Sequence, residues 1–253
     1  MKLAKKIVLL GMVCGLLIVS IPAKANILVA PHRFIFRIDQ RNTQVVEITN
    51  TSNTTKRLKV YPGKPPEMKE ELYLGEWLVL YPPILTLRPG QKRAVRFSVR
   101  APDDLKAGEY RSLLYFEELP QQNSNSNSGK IDFQLLTKLG INLYGRYGQL
   151  NFDGKFKNRQ VQVTGDELSI TGKFVNQGNA HLRMKVRIQI INLNKKENKT
   201  EIIKEKKLPQ FVVHRNASKE FNQQIQLPAE EKTKVKVIFE RKGQIIYKFS
   251  RSL

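Results

Sequence analysis

The stretch Ile84-Leu85-Thr86-Leu87-Arg88-Pro89-Gly90-Gln91-Lys92-Arg93-Ala94-Val95-Arg96-Phe97-Ser98-Val99 decides the fold class. A short apolar run stops at Arg88-Pro89-Gly90. In the run that follows, Val95, Phe97 and Val99 alternate with Arg96 and Ser98. Successive side chains on a strand point to opposite faces, so a period of two gives one core face and one wetter face. Pro and Gly between two such runs are turn residues, the first fixing φ and the second tolerating positive φ. The stretch reads as strand, turn, strand.

The same period recurs on both sides of it. Phe34, Phe36 and Ile38 alternate with Ile35 and Arg37; Met184, Val186, Ile188 and Ile190 alternate with Lys185, Arg187 and Gln189; Val235, Val237 and Phe239 alternate with Lys234, Lys236 and Ile238. Turn signals stand between the runs at Asp39-Gln40-Arg41-Asn42, Lys106-Ala107-Gly108, Asn176-Gln177-Gly178-Asn179 and Arg241-Lys242-Gly243. Many short strands at this spacing predict an all-β sandwich or barrel. No segment sustains a helical stripe. Lys195 to Lys207 is charged and reads as the tip of a long hairpin.

Gln121-Gln122-Asn123-Ser124-Asn125-Ser126-Asn127-Ser128-Gly129 has nothing to bury and reads as a mobile loop. It joins two strand-like runs, Ser112 to Leu119 and the unusually long Lys130 to Tyr144. A boundary follows at Gly145-Arg146-Tyr147-Gly148, and strand patterns resume at Val161. The prediction is a first domain over 26–147 and a second over 148–253, each close to the usual size of an immunoglobulin-like β-sandwich.

Met1-Lys2-Leu3-Ala4-Lys5-Lys6 is a basic start, and an apolar run follows from Ile7 to Ile21. Ala23-Lys24-Ala25 then offers small residues where a signal peptidase needs them. Residues 1–25 read as an export signal, with the mature chain starting at Asn26 and no stable membrane insertion after cleavage. Cys14, the single cysteine, lies inside that run. The mature protein is therefore expected to lack disulfides, a thiol nucleophile and thiolate metal sites.

Lys and Arg number 44 against 22 Asp and Glu. Such a field favours acidic partners, anionic lipid or polyanions, but export argues against nucleic acid, and lysines spread along the solvent faces of strands give the same count. Catalytic chemistry is missing. His32, His181 and His214 have no metal-binding spacing and read as surface residues. There is no Gly-x-Ser-x-Gly elbow and no phosphate loop. Glu117 and Glu118 are adjacent on a strand and face opposite ways, which is poor geometry for an acid/base pair. Neither an enzyme nor a cofactor is expected.

Read in order, the first half resembles the periplasmic chaperones that assemble pili. His32-Arg33-Phe34-Ile35-Phe36 is similar to the family's opening strand, and Val46-Glu47-Ile48-Thr49-Asn50-Thr51 to its second strand, which ends in asparagine. Pro82-Pro83, the apolar run, Pro89-Gly90-Gln91 and Val95-Arg96 are its most specific match. Tyr110-Arg111-Ser112-Leu113 resembles the Arg-Glu-Ser-Leu strand, Leu119-Pro120 its close, and Ile141-Asn142-Leu143-Tyr144-Gly145-Arg146 its last strand end. The second half matches only through its sandwich pattern and Val175-Asn176.

The resemblance implies two immunoglobulin-like sandwiches meeting at an angle, a periplasmic location, pilin-like subunits as partners and an outer-membrane usher beside them. In that family a subunit lacks one strand and the chaperone lends it. Main-chain hydrogen bonds then give affinity and alternate side chains fill pockets; Ile131, Phe133 and Leu135, separated by Asp132 and Gln134, have the alternation of such a donor. Two basic residues in the cleft hold the subunit's terminal carboxylate, and charge-assisted bonds of this kind fix register. Arg33 matches the first. For the second, alignment puts Asn142 at the basic position; Lys138 has the same strand parity four residues earlier, ~13 Å along an extended strand; Arg146 is a third candidate. Arg96 reads as a structural residue near the domain interface.

Two other readings stay open. A secreted two-sandwich binding module for a surface protein or anionic polymer would use the same edge without an assembly role. A fibre subunit would need its own donor segment, for which Asn26 to Pro31 is too short.

Overall fold

The computed structural model describes residues 26–40, 43–66, 68–120, 135–193, 201–228 and 233–253. The predicted export signal with Cys14, the predicted loop 121–129, and the predicted donor residues Ile131 and Phe133 lie outside the described residues.

The first half contains strands β1 (Ile27–Ala30), β2 (Arg33–Arg37), β3 (Gln44–Asn50), β4 (Lys56–Gly63), β5 (Leu78–Tyr81), β6 (Ile84–Leu87), β7 (Lys92–Val99), β8 (Gly108–Glu118) and β9 (Lys138–Tyr147). One sheet has the order β1-β3-β7-β5 and the other β2-β9-β8-β4-β6. β1 and β2 are one run of chain split between the two sheets. Pro31 stands between them and has no N–H to give to a ladder, so the run breaks there and changes partner. β2 joins β9 in parallel, whereas the other pairings of these two sheets are antiparallel.

The faces follow the alternation in the sequence. Phe34, Phe36 and Ile38 turn inward with Val46, Ile48, Val95 and Leu114. Phe97 meets Phe34 edge to face with ring centroids 5.1 Å apart. The turn after β6 also works as the sequence predicts: Gly90 has φ +73, the region that favours glycine. Its N–H donates to the Asn50 carbonyl at 2.9 Å.

The second half forms β10 (Gly154–Thr164), β11 (Glu167–Asn176), β12 (Leu182–Asn192), β13 (Glu201–Lys207), β14 (Phe211–Val213), β15 (Ser218–Gln226), β16 (Thr233–Arg241) and β17 (Gln244–Ser252). Sheet β10-β11-β15 packs on sheet β13-β12-β16-β17, with β14 paired to β12. Met184, Val186, Ile188, Ile190, Val235, Val237 and Phe239 are buried, as their period predicts. Within the charged segment, Glu201–Lys207 is an arm of the hairpin, paired to β12, rather than its tip. The chain is all-β, with two sandwiches. Among the described residues no helix is long and apolar enough to cross a membrane, and no cluster of ligating side chains could hold a metal.

One asparagine closes the end of a strand in each sandwich. Asn50 Nδ2 donates to the carbonyls of Thr54 at 2.8 Å and Leu87 at 3.0 Å. Asn176 Nδ2 donates to those of Ala180, Val213 and His214 at 2.8, 3.1 and 3.0 Å, while its Oδ1 accepts the Gly178 N–H at 2.9 Å. Each amide gathers backbone groups that no ladder reaches, which buried polar groups require.

The sandwiches meet at Glu109 and His181. Both carboxylate oxygens of Glu109 lie within hydrogen-bond reach of His181 Nδ1, at 2.7 and 2.8 Å, and Arg146 Nε donates to the same carboxylate at 3.1 Å. Asn179 Nδ2 donates to the Ala107 and Gln149 carbonyls at 3.2 and 3.0 Å. Gly108, with φ +145, makes the close approach possible: a Cβ there would stand 2.9 Å from the Asn179 carbonyl oxygen. The expectation of surface histidines is corrected here. His181 is buried because a carboxylate 72 positions away satisfies it, and His214 is half-buried.

Candidate functional site

Strand β9 is longer than the partner on its outer side. Arg33–Arg37 cover Asn142–Arg146, whereas Lys138–Ile141 pair only with Leu114–Glu117 of β8. Among the described residues no strand takes the other side of Lys138–Ile141. Unpaired N–H and C=O groups in such a row form a template for another chain. Leu135, just before β9 and outside any strand, is 89% exposed. The predicted strand over 130–144 thus starts, in the described residues, at Lys138.

The outward face of sheet β2-β9-β8-β4-β6 is a stack of rows fixed by register. Nearest the second sandwich stand Arg37, Arg146 and Glu109; next come Ile35, Tyr144 and Arg111; then Arg33, Asn142 and Leu113; then Gly140, Tyr115 and Tyr61; and last Lys138, Glu117 and Lys59. Arg33 and Asn142 are therefore direct neighbours, and Lys138 stands two rows away. Lys138 Nζ is 3.4 Å from Glu117 and lies over the Tyr115 and Tyr61 rings at 4.6 and 5.4 Å. Arg146 is engaged with Glu109. Arg96 is not near the domain interface: it is exposed on the other sheet, between Val45 and Tyr81. Its strand parity turns it away from the core.

Two arginines that the sequence reading did not single out stand beside Arg33. Arg111 Nη2 donates to Asn142 Oδ1 at 2.8 Å, and its guanidinium lies over the Tyr144 ring at 5.6 Å. Arg183 reaches in from β12. Burial holds its guanidinium below the usual range and the Arg33 charge adds to this, against an opposing effect of Tyr144. Tyr144 is buried, its hydroxyl pushed up by burial, and its ring lies 4.3 Å from that of His181. Burial, with the charge of Arg111 behind it, lowers His214 to about 4. Glu109 feels burial pushing it up, but the bond to His181 and the charge of Arg146 outweigh that and hold it below the ordinary value. The alternation of Glu109 and Arg111 with Tyr110 and Ser112 was a usable signal, since it sets both on one outward face. Nothing local pointed to Arg183.

Residues 26–146 match the family described as pili and flagellar-assembly chaperone, PapD N-terminal domain. The first sandwich belongs to this chaperone family. The match runs over both sheets of the first sandwich and so includes Arg33, Arg111 and Asn142. No curated protein matches the chain. Among solved structures, the YadV chaperone is similar in fold: 13% identity, 90% of this chain and 100% of that chain covered, TM-score 0.52. The E. coli chaperone DraB gives 15% identity, 90% and 98% coverage and a TM-score of 0.47. The Salmonella enterica SafA pilin in complex with the SafB chaperone gives 15%, 91% and 97%, and 0.48. The family is one of chaperones rather than enzymes, in keeping with the missing catalytic motifs.

Proposed function

We propose that this chaperone works in the periplasm after removal of residues 1–25, with domains over 26–147 and 148–253, and that it captures pilin-like subunits for delivery to an outer-membrane usher. It lends the strand that carries Ile131, Phe133 and Leu135 and holds the subunit's terminal carboxylate at Arg33. The observation that carries this reading is the half-covered β9: among the described residues its edge at Lys138–Ile141 is open, and it ends at the row of Arg33 and Asn142. A strand added along that edge places its terminus against a fixed cation. Main-chain bonds supply affinity, pockets for alternate side chains supply selectivity, and the anchored carboxylate sets register. Lys138, held by Glu117 and two tyrosine rings, is not part of this anchor.

The test is co-expression with a small secreted pilin-like subunit. Phe133→Ser with Leu135→Ser should leave a folded chaperone that no longer co-purifies with it, each lost side chain removing about 2 kcal/mol of apolar burial. Unaltered capture, or a chaperone that unfolds, would sink the donor-strand reading.

A further inference from the structure

Asn142 carries no charge where the proposed anchor calls for a second cation beside Arg33. The structure offers two substitutes. Arg111, one row down on β8, hydrogen-bonds Asn142 and is thereby drawn toward the row of Arg33. Arg183 comes from the facing sandwich, and Arg33, Arg111 and Arg183 all act electrostatically on Tyr144. Among the described residues none of the three is in an ion pair; Glu109, the carboxylate that acts on Arg183 there, is already held by His181 and Arg146. Arg183 Nη1 donates to the neutral Gln210 amide at 2.5 Å. Arg111 also lines a cleft of about 350 Å³ with Met68, Leu72, Glu109, His214 and Arg215. Three guanidinium groups without a carboxylate of their own repel one another, and an anion placed among them removes that cost.

We propose that Arg33, Arg111 and Arg183 form one clamp for a terminal carboxylate around Tyr144, with Arg111 and Arg183 replacing the cation that Asn142 does not supply. This rests on the anchoring role given to Arg33 above. Each guanidinium presents a planar fork of donors that matches a carboxylate. Because Arg183 belongs to β12 and the other two to β2 and β8, the bound carboxylate touches both sandwiches at once.

The probe is a ten-residue peptide of alternating Val and Thr with a free terminal carboxylate, compared with the same peptide amidated, titrated against the mature chain by fluorescence anisotropy. The wild type should prefer the carboxylate by at least about tenfold. Arg111→Gln and Arg183→Gln should each abolish most of that preference, with melting temperatures recorded to show that both fold. Asn142→Lys added to Arg111→Gln should restore it, because it returns a cation to the row of Arg33. Full preference in either single variant, or no rescue by Asn142→Lys, overturns the clamp. Arg33→Ala separates the two levels: if it alone loses the preference, the carboxylate anchor stands without the clamp. If the wild type has no preference, the anchor itself is wrong and the clamp falls with it.

Discussion

Glu109 on β8 and His181 before β12 bind each other across the two sandwiches, with both carboxylate oxygens within 2.8 Å of His181 Nδ1. Neither side chain is more than 4% exposed, so neither has water to fall back on. Removing one member of a buried pair strands the other, which costs about 3 kcal/mol or more. Glu109→Ala should destabilise the chain by that amount and leave Arg146 without its partner. Calorimetry should then resolve two transitions in place of one, because the contact joining the sandwiches has gone. A single transition at the wild-type temperature would show that the pair does not hold the domains together.

Acid should loosen the same junction. His214 is lowered from its ordinary 6.5 to about 4, by burial first and then by Arg111. A histidine with a depressed folded value binds its proton more readily when unfolded, so stability is intact above pH 6.5 and falls as pH drops toward 4. Glu109 is also held low; its contribution is present above its unfolded value and is lost on further acidification. Both act in one direction. Unfolding free energies from urea titrations at pH 7.5 and pH 5 should differ by roughly 1 kcal/mol through His214, solvent at the half-buried ring reducing the full linkage. His214→Gln should flatten this interval; an unchanged slope would remove His214 from the account.

Asn176 is the sharper test of the strand-end amides. Asn176→Ala removes the amide's bonds to three carbonyls and to the Gly178 N–H; the His214 carbonyl keeps the Ala217 N–H and the Gly178 N–H keeps the Asp153 carbonyl, so the Ala180 and Val213 carbonyls bear most of the loss. Buried groups left unsatisfied cost about 1–3 kcal/mol, so about 3 kcal/mol of stability should be lost from the second sandwich, read by urea unfolding followed at Tyr247 or by hydrogen exchange at Val213. Asn50→Ala, which releases two carbonyls and the N–H and hydroxyl of Ser52, should cost a similar amount in the first sandwich.

The envelope form should begin at Asn26 and contain no thiol, since Cys14 precedes the Ala23-Lys24-Ala25 site. Intact mass gives the answer directly; a mass that retains Cys14, or a lipid on it, would contradict cleavage there.

The sequence by itself determined the class of fold, because a period of two is a local property: Phe34 and Phe36, Val95 and Phe97, or Val186 and Ile188 face the core whatever lies far along the chain. It also determined the family, because Pro89-Gly90-Gln91 and the run through Asn50 answer to local backbone demands, a positive φ at Gly90 and a strand end to close. What only the tertiary structure decided are relations between distant residues. Register set Asn142 beside Arg33 and left Lys138 two rows away, and packing of one sandwich on the other turned His181 from a presumed surface residue into the partner of Glu109. Arg183 entered the cleft in the same way. Side-chain parity is written in neighbouring residues, but which cation meets which carboxylate depends on how sheets some seventy residues apart come to face each other, and no local pattern encodes that.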